Sequence, residues 1–198
     1  TETGRMVATV NFVGNVVGIL NIQVASEMTR LMMANVQDGG PEKFEQSGGI
    51  RGLLAEISNM VGGNLKSALN DAGHRCVIST PTITYGPDFT IKYPKMERLE
   101  RFNFTHQENF IFVEVGLQPK QGSDDGDELG PTDMPAQLSD ADIAKIHALD
   151  INTRVSEAVI DVFDRKLSLK LEPLDAGNVE SLEGIRNVAS VSFAGAAT

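Results

Sequence analysis

Apolar and polar residues alternate from Arg5 to Phe12 (RMVATVNF) and again from Val16 to Val24, with Gly14-Asn15 between the two runs. A period of two predicts two strands, and Gly-Asn supplies the turn of a hairpin. At Ser26, a predicted N-cap, the period lengthens. Met28, Leu31, Met32 and Val36 form a helical stripe that Gly39-Gly40 would end, and Pro41 to Gly49 is a polar connection. Methionines 28, 32 and 33 suit an adaptable binding face, but Met at helical spacing reads first as core.

The longest helical pattern runs from Ile50 to Ala72 (IRGLLAEISNMVGGNLKSALNDA). At about 100° per residue, Ile50, Leu53, Leu54, Ile57, Val61, Leu65 and Ala68 share one side, and Gly52, Glu56, Asn59, Gly63, Lys66 and Asn70 the other. Glu56 and Asn59 are therefore neighbours on an outward face. Asn59, Gly62 and Gly63 are poor helix formers, each Gly costing on the order of 1 kcal/mol against Ala. Two readings stand for them. In one, Gly62 and Gly63 end the helix or let it pack tightly on a sheet, with Glu56 and Asn59 merely solvated. In the other, Gly52 and Gly63 clear side chains so that another protein's backbone can approach Glu56 and Asn59.

Downstream, Arg75 to Ser79 predicts a short strand, Thr80-Pro81 a turn or sheet edge, and Thr82 to Tyr85 its continuation. Gly86-Pro87-Asp88 punctuates the chain before Phe89 to Tyr93. Leu99 to His106 and Asn109 to Leu117 predict an antiparallel pair turning at Gln107-Glu108, with Phe102 and Phe104 on one side of the first strand. A hairpin-rich sheet with helices inserted between strands implies an α+β fold, its long helices on one face. Gln118 to Gln137 is rich in Gly, Pro and acid and reads as a flexible linker. Ser139 and Asp142 open a short helix with Ile143 and Ile146. Ile151, Val155, Ala158, Val159, Val162 and Phe163 mark a stronger one, and Leu167, Leu169 and Leu171 alternate as a strand.

Composition narrows the function. With 198 residues the chain is one domain with added material or two small ones, and can bury a real core. A net charge of −10 argues against nucleic acid and anionic membrane as partners. Cys76 is the only cysteine, so no intrachain disulfide forms and a reducing compartment is expected. No apolar run approaches the ~20 residues needed to span a bilayer, and the opening residues do not read as a signal peptide; a cytoplasmic protein is the expectation.

Several chemistries lack their residues. His74, His106 and His147 are too scattered for a zinc spacing, and no metal site is expected. Asp124, Asp125, Asp127 and Glu128 do not reproduce the ligand spacing of an EF-hand. Cys76 lies in an apolar strand with no adjacent base and reads as a small buried hydrophobe. The glycine-rich pieces lack the Gly-Lys-Ser/Thr ending of a phosphate loop.

The helix does carry a recognisable pattern. Glu56-x-x-Asn59-x-x-Gly62, inside EISNMVGGNLKSAL and followed by ISTPTITYG, resembles the signature of the CheC/CheX/FliY family of chemotaxis phosphatases, most of all its single-site CheX branch. The likeness runs from Val7 to about Leu117. The second site of the CheC branch has no counterpart here, since Glu157-Ala-Val-Ile160 carries Ile where Asn would be needed. The family pattern has an acidic or hydroxyl residue where this chain has Gly52, and Pro81 arrives about one position early.

The resemblance implies a cytoplasmic phosphatase acting on the aspartyl phosphate of a CheY-like response regulator. In a receiver domain the phosphoryl group and its Mg²⁺ already occupy a prepared site, so the phosphatase has chiefly to aim a water, and it needs no cofactor of its own. By resemblance Asn59 positions that water and Glu56 pairs with a receiver lysine; an exposed carboxylate, with a reference value near 4.3, is a weak base. Gly52, Gly63 and Lys66 would line the partner contact. The alternative is a CheX-like binding or assembly module of weak or no activity, which Gly52 and the offset Pro81 favour. A homodimer or tandem-domain assembly is expected, through a sheet edge in the former case.

CheX-like domains begin with a helix of the type DINTRVSEAVIDVFDRKL, whereas this chain begins at the hairpin. Arg186 to Gly195 also matches Arg5 to Gly14 at six of ten places, 181 positions apart. The expected organisation is thus a core over residues 1–118 lacking its usual first helix, a linker over 119–137, and a segment over 138–198 resembling the start of a second copy. The helix from Ile151 to about Lys166 is expected to cover the sheet in its own chain or a partner.

Overall fold

The computed structural model describes residues 4–36, 48–87, 91–93, 96–120 and 140–174. Two long strands, β1 (Arg5–Gly14) and β2 (Val16–Ala25), pair antiparallel from Arg5 opposite Ala25 to Phe12 opposite Gly18. The predicted hairpin is present, turning at Asn15. Along it Ala8, Val10, Phe12, Leu20, Ile22 and Val24 are buried and join the core. The alternation predicted from sequence is therefore the alternation between the two faces of the sheet.

Among the described residues, six more elements follow before the linker. They are α1 (Ser26–Ala34), α2 (Gly49–Asp71), β3 (Cys76–Ile78), β4 (Thr82–Gly86), β5 (Arg98–His106) and β6 (Asn109–Pro119). After it come α3 (Asp140–His147), α4 (Ile151–Leu167) and β7 (Glu172–Leu174). The sheet order is β3-β1-β2-β6-β5-β7, with β4 also paired to β1, and every pairing is antiparallel. The helices pack against it, giving the α+β architecture expected.

The cores of sheet and helices are continuous. Leu54, Ile57, Val61, Leu65 and Leu69 of α2 share one core with Met28 and Met32 of α1 and with the inward residues Ile111, Val113, Val115 and Leu117 of β6. Phe104 stands opposite Ile111 and Phe102 opposite Val113, so both phenylalanines point to the helix side as expected. Met33 is exposed, so the core reading of the methionines holds for Met28 and Met32. From α4, Val155, Val159, Val162 and Phe163 complete the same core against α2. The helix packs in its own chain.

The opposite face carries a polar row. Thr9, Asn21, Glu114 and Arg101 stand abreast on β1, β2, β6 and β5. Thr9 Oγ1 donates to Asn21 Oδ1 at 2.5 Å, and Arg101 Nε to Glu114 Oε1 at 2.8 Å. Tyr93 lies over them, its hydroxyl accepting from Asn21 Nδ2 and donating to Glu114 Oε2 at 2.5 Å. Gln23 Nε2 donates to the same carboxylate oxygen at 3.1 Å. Asn21, Gln23 and Glu114, buried polar members of this group, thereby each have a partner, as burial requires.

Some local expectations are corrected. Ser26 does not cap α1: Ala25 is the N-cap, and the Ser26 hydroxyl instead exchanges hydrogen bonds with the backbone of Gly4. Gly62 and Gly63 do not end α2, which stops at Asp71, where Gly73 at φ 89° lets His74 N–H return to Leu69 O at 2.8 Å. Leu167 closes α4 rather than opening a strand. Ser168 turns the chain at φ 52°, Leu169 and Leu171 are buried in extended chain, and pairing begins only at Glu172. Gly39-Gly40, most of the acidic linker and the repeat at Arg186 to Gly195 lie outside the described residues. No described helix is long and apolar enough to cross a membrane.

Candidate functional site

The site is built where α2 crosses the edge formed by β3 and β4. Its buried face, Leu53, Leu54, Ile57, Val61 and Leu65, fixes the rotation of the helix. That rotation leaves Glu56 and Asn59 exposed. Gly52, Glu56, Asn59, Gly63 and Lys66 follow at intervals of three or four, so they form one stripe, spanning about 21 Å at 1.5 Å per residue. Gly52, Gly63 and Lys66 are each partly exposed along it.

The two glycines of the Gly62-Gly63 pair differ in function. A Cβ on Gly62 would lie 3.2 Å from Val10 Cγ1, so this glycine lets α2 sit close on β1. A Cβ on Gly63 would meet nothing within 4 Å. The packing reading thus explains Gly62, while Gly63 keeps the outer surface low.

Beside the helix the sheet edge is split. β3 and β4 both pair with β1, but between them Ser79, Thr80 and Pro81 leave the pairing. Pro81 cannot donate a backbone hydrogen bond. Ser79 partly replaces the missing contacts: its N–H donates to Asn11 O at 2.9 Å and its Oγ accepts from Asn11 N at 3.0 Å. The loop is thereby held as the wall of an open groove of about 450 Å³ lined by Ala55, Glu56, Asn59, Ile78, Ser79, Thr80 and Pro81. The helix motif and the Ser-Thr-Pro segment that follow each other in sequence form one groove.

Not every expected residue lines it. Gly52, Gly63 and Lys66 lie along the stripe beyond the groove's lining. Cys76 is buried, as read from sequence; burial pushes its thiol above the ordinary range, with the Lys66 charge opposing weakly. One participant has no local signal in sequence: Lys166, in the last turn of α4, places its Nζ 2.5 Å from Glu56 Oε1. A separation of 110 residues hides the pair from any periodicity.

The acceptor and donor chemistry is simple. A carboxamide offers an oxygen that accepts and an NH₂ that donates, and Asn59 presents both at the groove. Glu56 presents a carboxylate suited to a cation. Neither group is buried, so both are open to a partner at the groove.

Comparison with known proteins points to one family. The family model of the chemotaxis phosphatase CheX matches residues 6–105. The structure resembles chemotaxis protein CheX from Vibrio vulnificus, with a TM-score of 0.50 and 22% identity over 59% of this chain and 76% of that one. It also resembles a chemotactic CheC-like protein from Shewanella oneidensis (TM-score 0.49, 26% identity, 59% of this chain and 75% of that one). A third similar structure is a CheX-CheY-BeF3-Mg²⁺ complex from Borrelia burgdorferi (TM-score 0.46, 19% identity, 57% and 75%). No curated protein matches the chain. The matched residues take in α2, β3 and the Ser-Thr-Pro wall, and so every residue that lines the groove, and over that half of its length this chain belongs to the CheX family of chemotaxis phosphatases.

Proposed function

We propose that the protein hydrolyses the aspartyl phosphate of a CheY-like receiver domain, with Asn59 aligning the attacking water and Glu56 docking the receiver. The observation that carries this reading is the joint exposure of Glu56 and Asn59 on one open groove, in a chain of the CheX family. The receiver brings its phosphoryl group and Mg²⁺. Asn59 Oδ1 accepts a hydrogen bond from water and turns its lone pair toward phosphorus. The new P–O bond forms as the bond to the aspartyl oxygen breaks, leaving a carboxylate and inorganic phosphate, with the water's proton passing to the phosphate. The chain contributes position rather than a strong base, and positioning alone is worth factors of 10² or more.

Glu56 pairs with a cationic side chain of the receiver, and Gly52, Gly63 and Lys66 extend the contact along α2. In the same reading α4 stands for the first helix of a CheX-like domain, delivered from the far end of the chain. It packs against α2 and contributes to the core as such a helix would.

The test is the rate of phosphate loss from a phosphorylated receiver. Wild type should accelerate it, Asn59→Ala should bind but turn over about 10²-fold more slowly, and Glu56→Ala should raise KM. A phosphate lifetime that none of the three proteins changes refutes catalysis and leaves a binding module, the reading that Gly52 favours.

A further inference from the structure

Lys166 already satisfies the carboxylate that the proposed function gives to the receiver. Its Nζ lies 2.5 Å from Glu56 Oε1, with the two side chains 30% and 52% exposed. This contact is supported from both sides. Glu56 is fixed on α2 by the buried face of that helix, and Lys166 sits three residues after Phe163, one of the fully buried anchors of α4. The neighbouring Arg165 is paired within its own helix to Asp161. Lys66, ten residues along α2 from Glu56, is about 15 Å away at 1.5 Å per residue. Lys166 is therefore the cation placed on Glu56 among the described residues.

We infer that Lys166 is an internal competitor for the docking carboxylate, so that a receiver must displace it to engage Glu56. The inference rests on the proposed function. A solvent-exposed ion pair sets the scale of the effect: such pairs weigh equilibria by at most about five-fold. Lys166 thus tunes affinity without closing the groove. Asn59 is left untouched, so the chemical step keeps its rate once the receiver is seated. A partner whose cation reaches Glu56 in better geometry overcomes the contact, and one without such a cation leaves it in place.

The measurement is the Kd for a CheY-like receiver loaded with beryllofluoride and Mg²⁺, with kcat and KM on the phosphorylated receiver alongside. Lys166→Gln should tighten Kd and lower KM by about two- to five-fold, with kcat unchanged. Lys166→Arg should behave as wild type. In a Glu56→Gln background the Lys166→Gln change should have no effect on Kd, because the contested charge is gone. Unchanged or weaker binding by Lys166→Gln overturns the inference, and weakening in both backgrounds would make Lys166 a direct receiver contact. Turnover by wild type with no gain from Lys166→Gln removes this inference alone. The predicted Kd pattern without turnover removes the phosphatase reading alone. No binding by any variant removes both.

Discussion

Arg98, on β5, donates from its guanidinium to Leu149 O at 2.7 Å, and the same nitrogen reaches Ile146 O at 2.9 Å. These carbonyls belong to the end of α3 and the turn into α4, so a cation from the sheet closes the helix terminus that the backbone leaves open. Glu100 holds the guanidinium from its other side at 2.8 Å. Arg98→Met should keep the stem's packing and lose these charged contacts. The expected cost is about 2 kcal/mol, or roughly 5 °C in Tm for a chain of this size. Thermal unfolding followed by circular dichroism would measure it, and an unchanged midpoint would show that core packing alone holds α3 and α4.

The glycine pair permits a matched experiment. Gly62→Ala gains helix propensity but presses on Val10, a stiff side chain within the core. Overpacking costs about 1–3 kcal/mol against a gain of about 1, so the variant should be destabilised. Gly63→Ala meets open space and should be stabilised by up to about 1 kcal/mol, while its methyl hinders approach to α2 and weakens receiver binding. Urea midpoints and receiver Kd for the two variants give the comparison. Equal stability changes would refute the assignment of different roles.

Tyr93 links the sheet's polar row to alkaline stability. Burial first, then its hydrogen bond to Glu114 and that residue's charge, raise its pKa above the ordinary 10.0. The folded state thus holds a proton that the unfolded chain releases from about pH 10 upward, where the slope of stability with pH is negative. Stability from this group is full below pH 10 and declines above it. Tyr93→Phe should cost about 1–2 kcal/mol at neutral pH and flatten the fall between pH 9 and 11. Denaturant midpoints across that range decide it; parallel curves for the two proteins would contradict the assignment.

Cys76 is predicted to be inert. Its thiol is buried and pushed up from 9.0 by desolvation. Alkylation by iodoacetamide at pH 8 should be about ten-fold or more slower in the native protein than in denaturant, since the thiolate is the reactive form. Mass spectrometry of a time course reads this directly, and equal rates would mean that β3 opens readily from β1.

How much was legible in the sequence follows from the range of each interaction. The hairpin, the long helix and the β5–β6 pair come from periodic patterns within ten to twenty residues, of period two for the strands and 3.6 for the helix, which the sequence displays directly. Glu56 and Asn59 read as outward because the apolar positions of the same helix dictate its rotation. Ser26 reads as a cap by residue type, but the backbone of Gly4, brought near by the hairpin, takes its hydroxyl. Leu167, Leu169 and Leu171 alternate, yet the first closes a helix, because burial against a tertiary surface can produce the same spacing as a strand. Arg98 with Leu149, and Glu56 with Lys166, join residues far apart in the chain, and no local pattern encodes either.

The departure of Ser79, Thr80 and Pro81 from the pairing of β1 has a consequence for how any protein can be received at this border. An uninterrupted edge strand is a template on which a visiting strand can extend the sheet, with little regard to side-chain identity. Here that template is broken beside Asn59, and the backbone of Asn11 is taken by Ser79. Association by ladder extension is blocked at the groove. What the border offers there is a carboxylate, an amide and a proline-stiffened turn, so under the proposed function a receiver is recognised by the chemical identity of its side chains rather than by backbone shape.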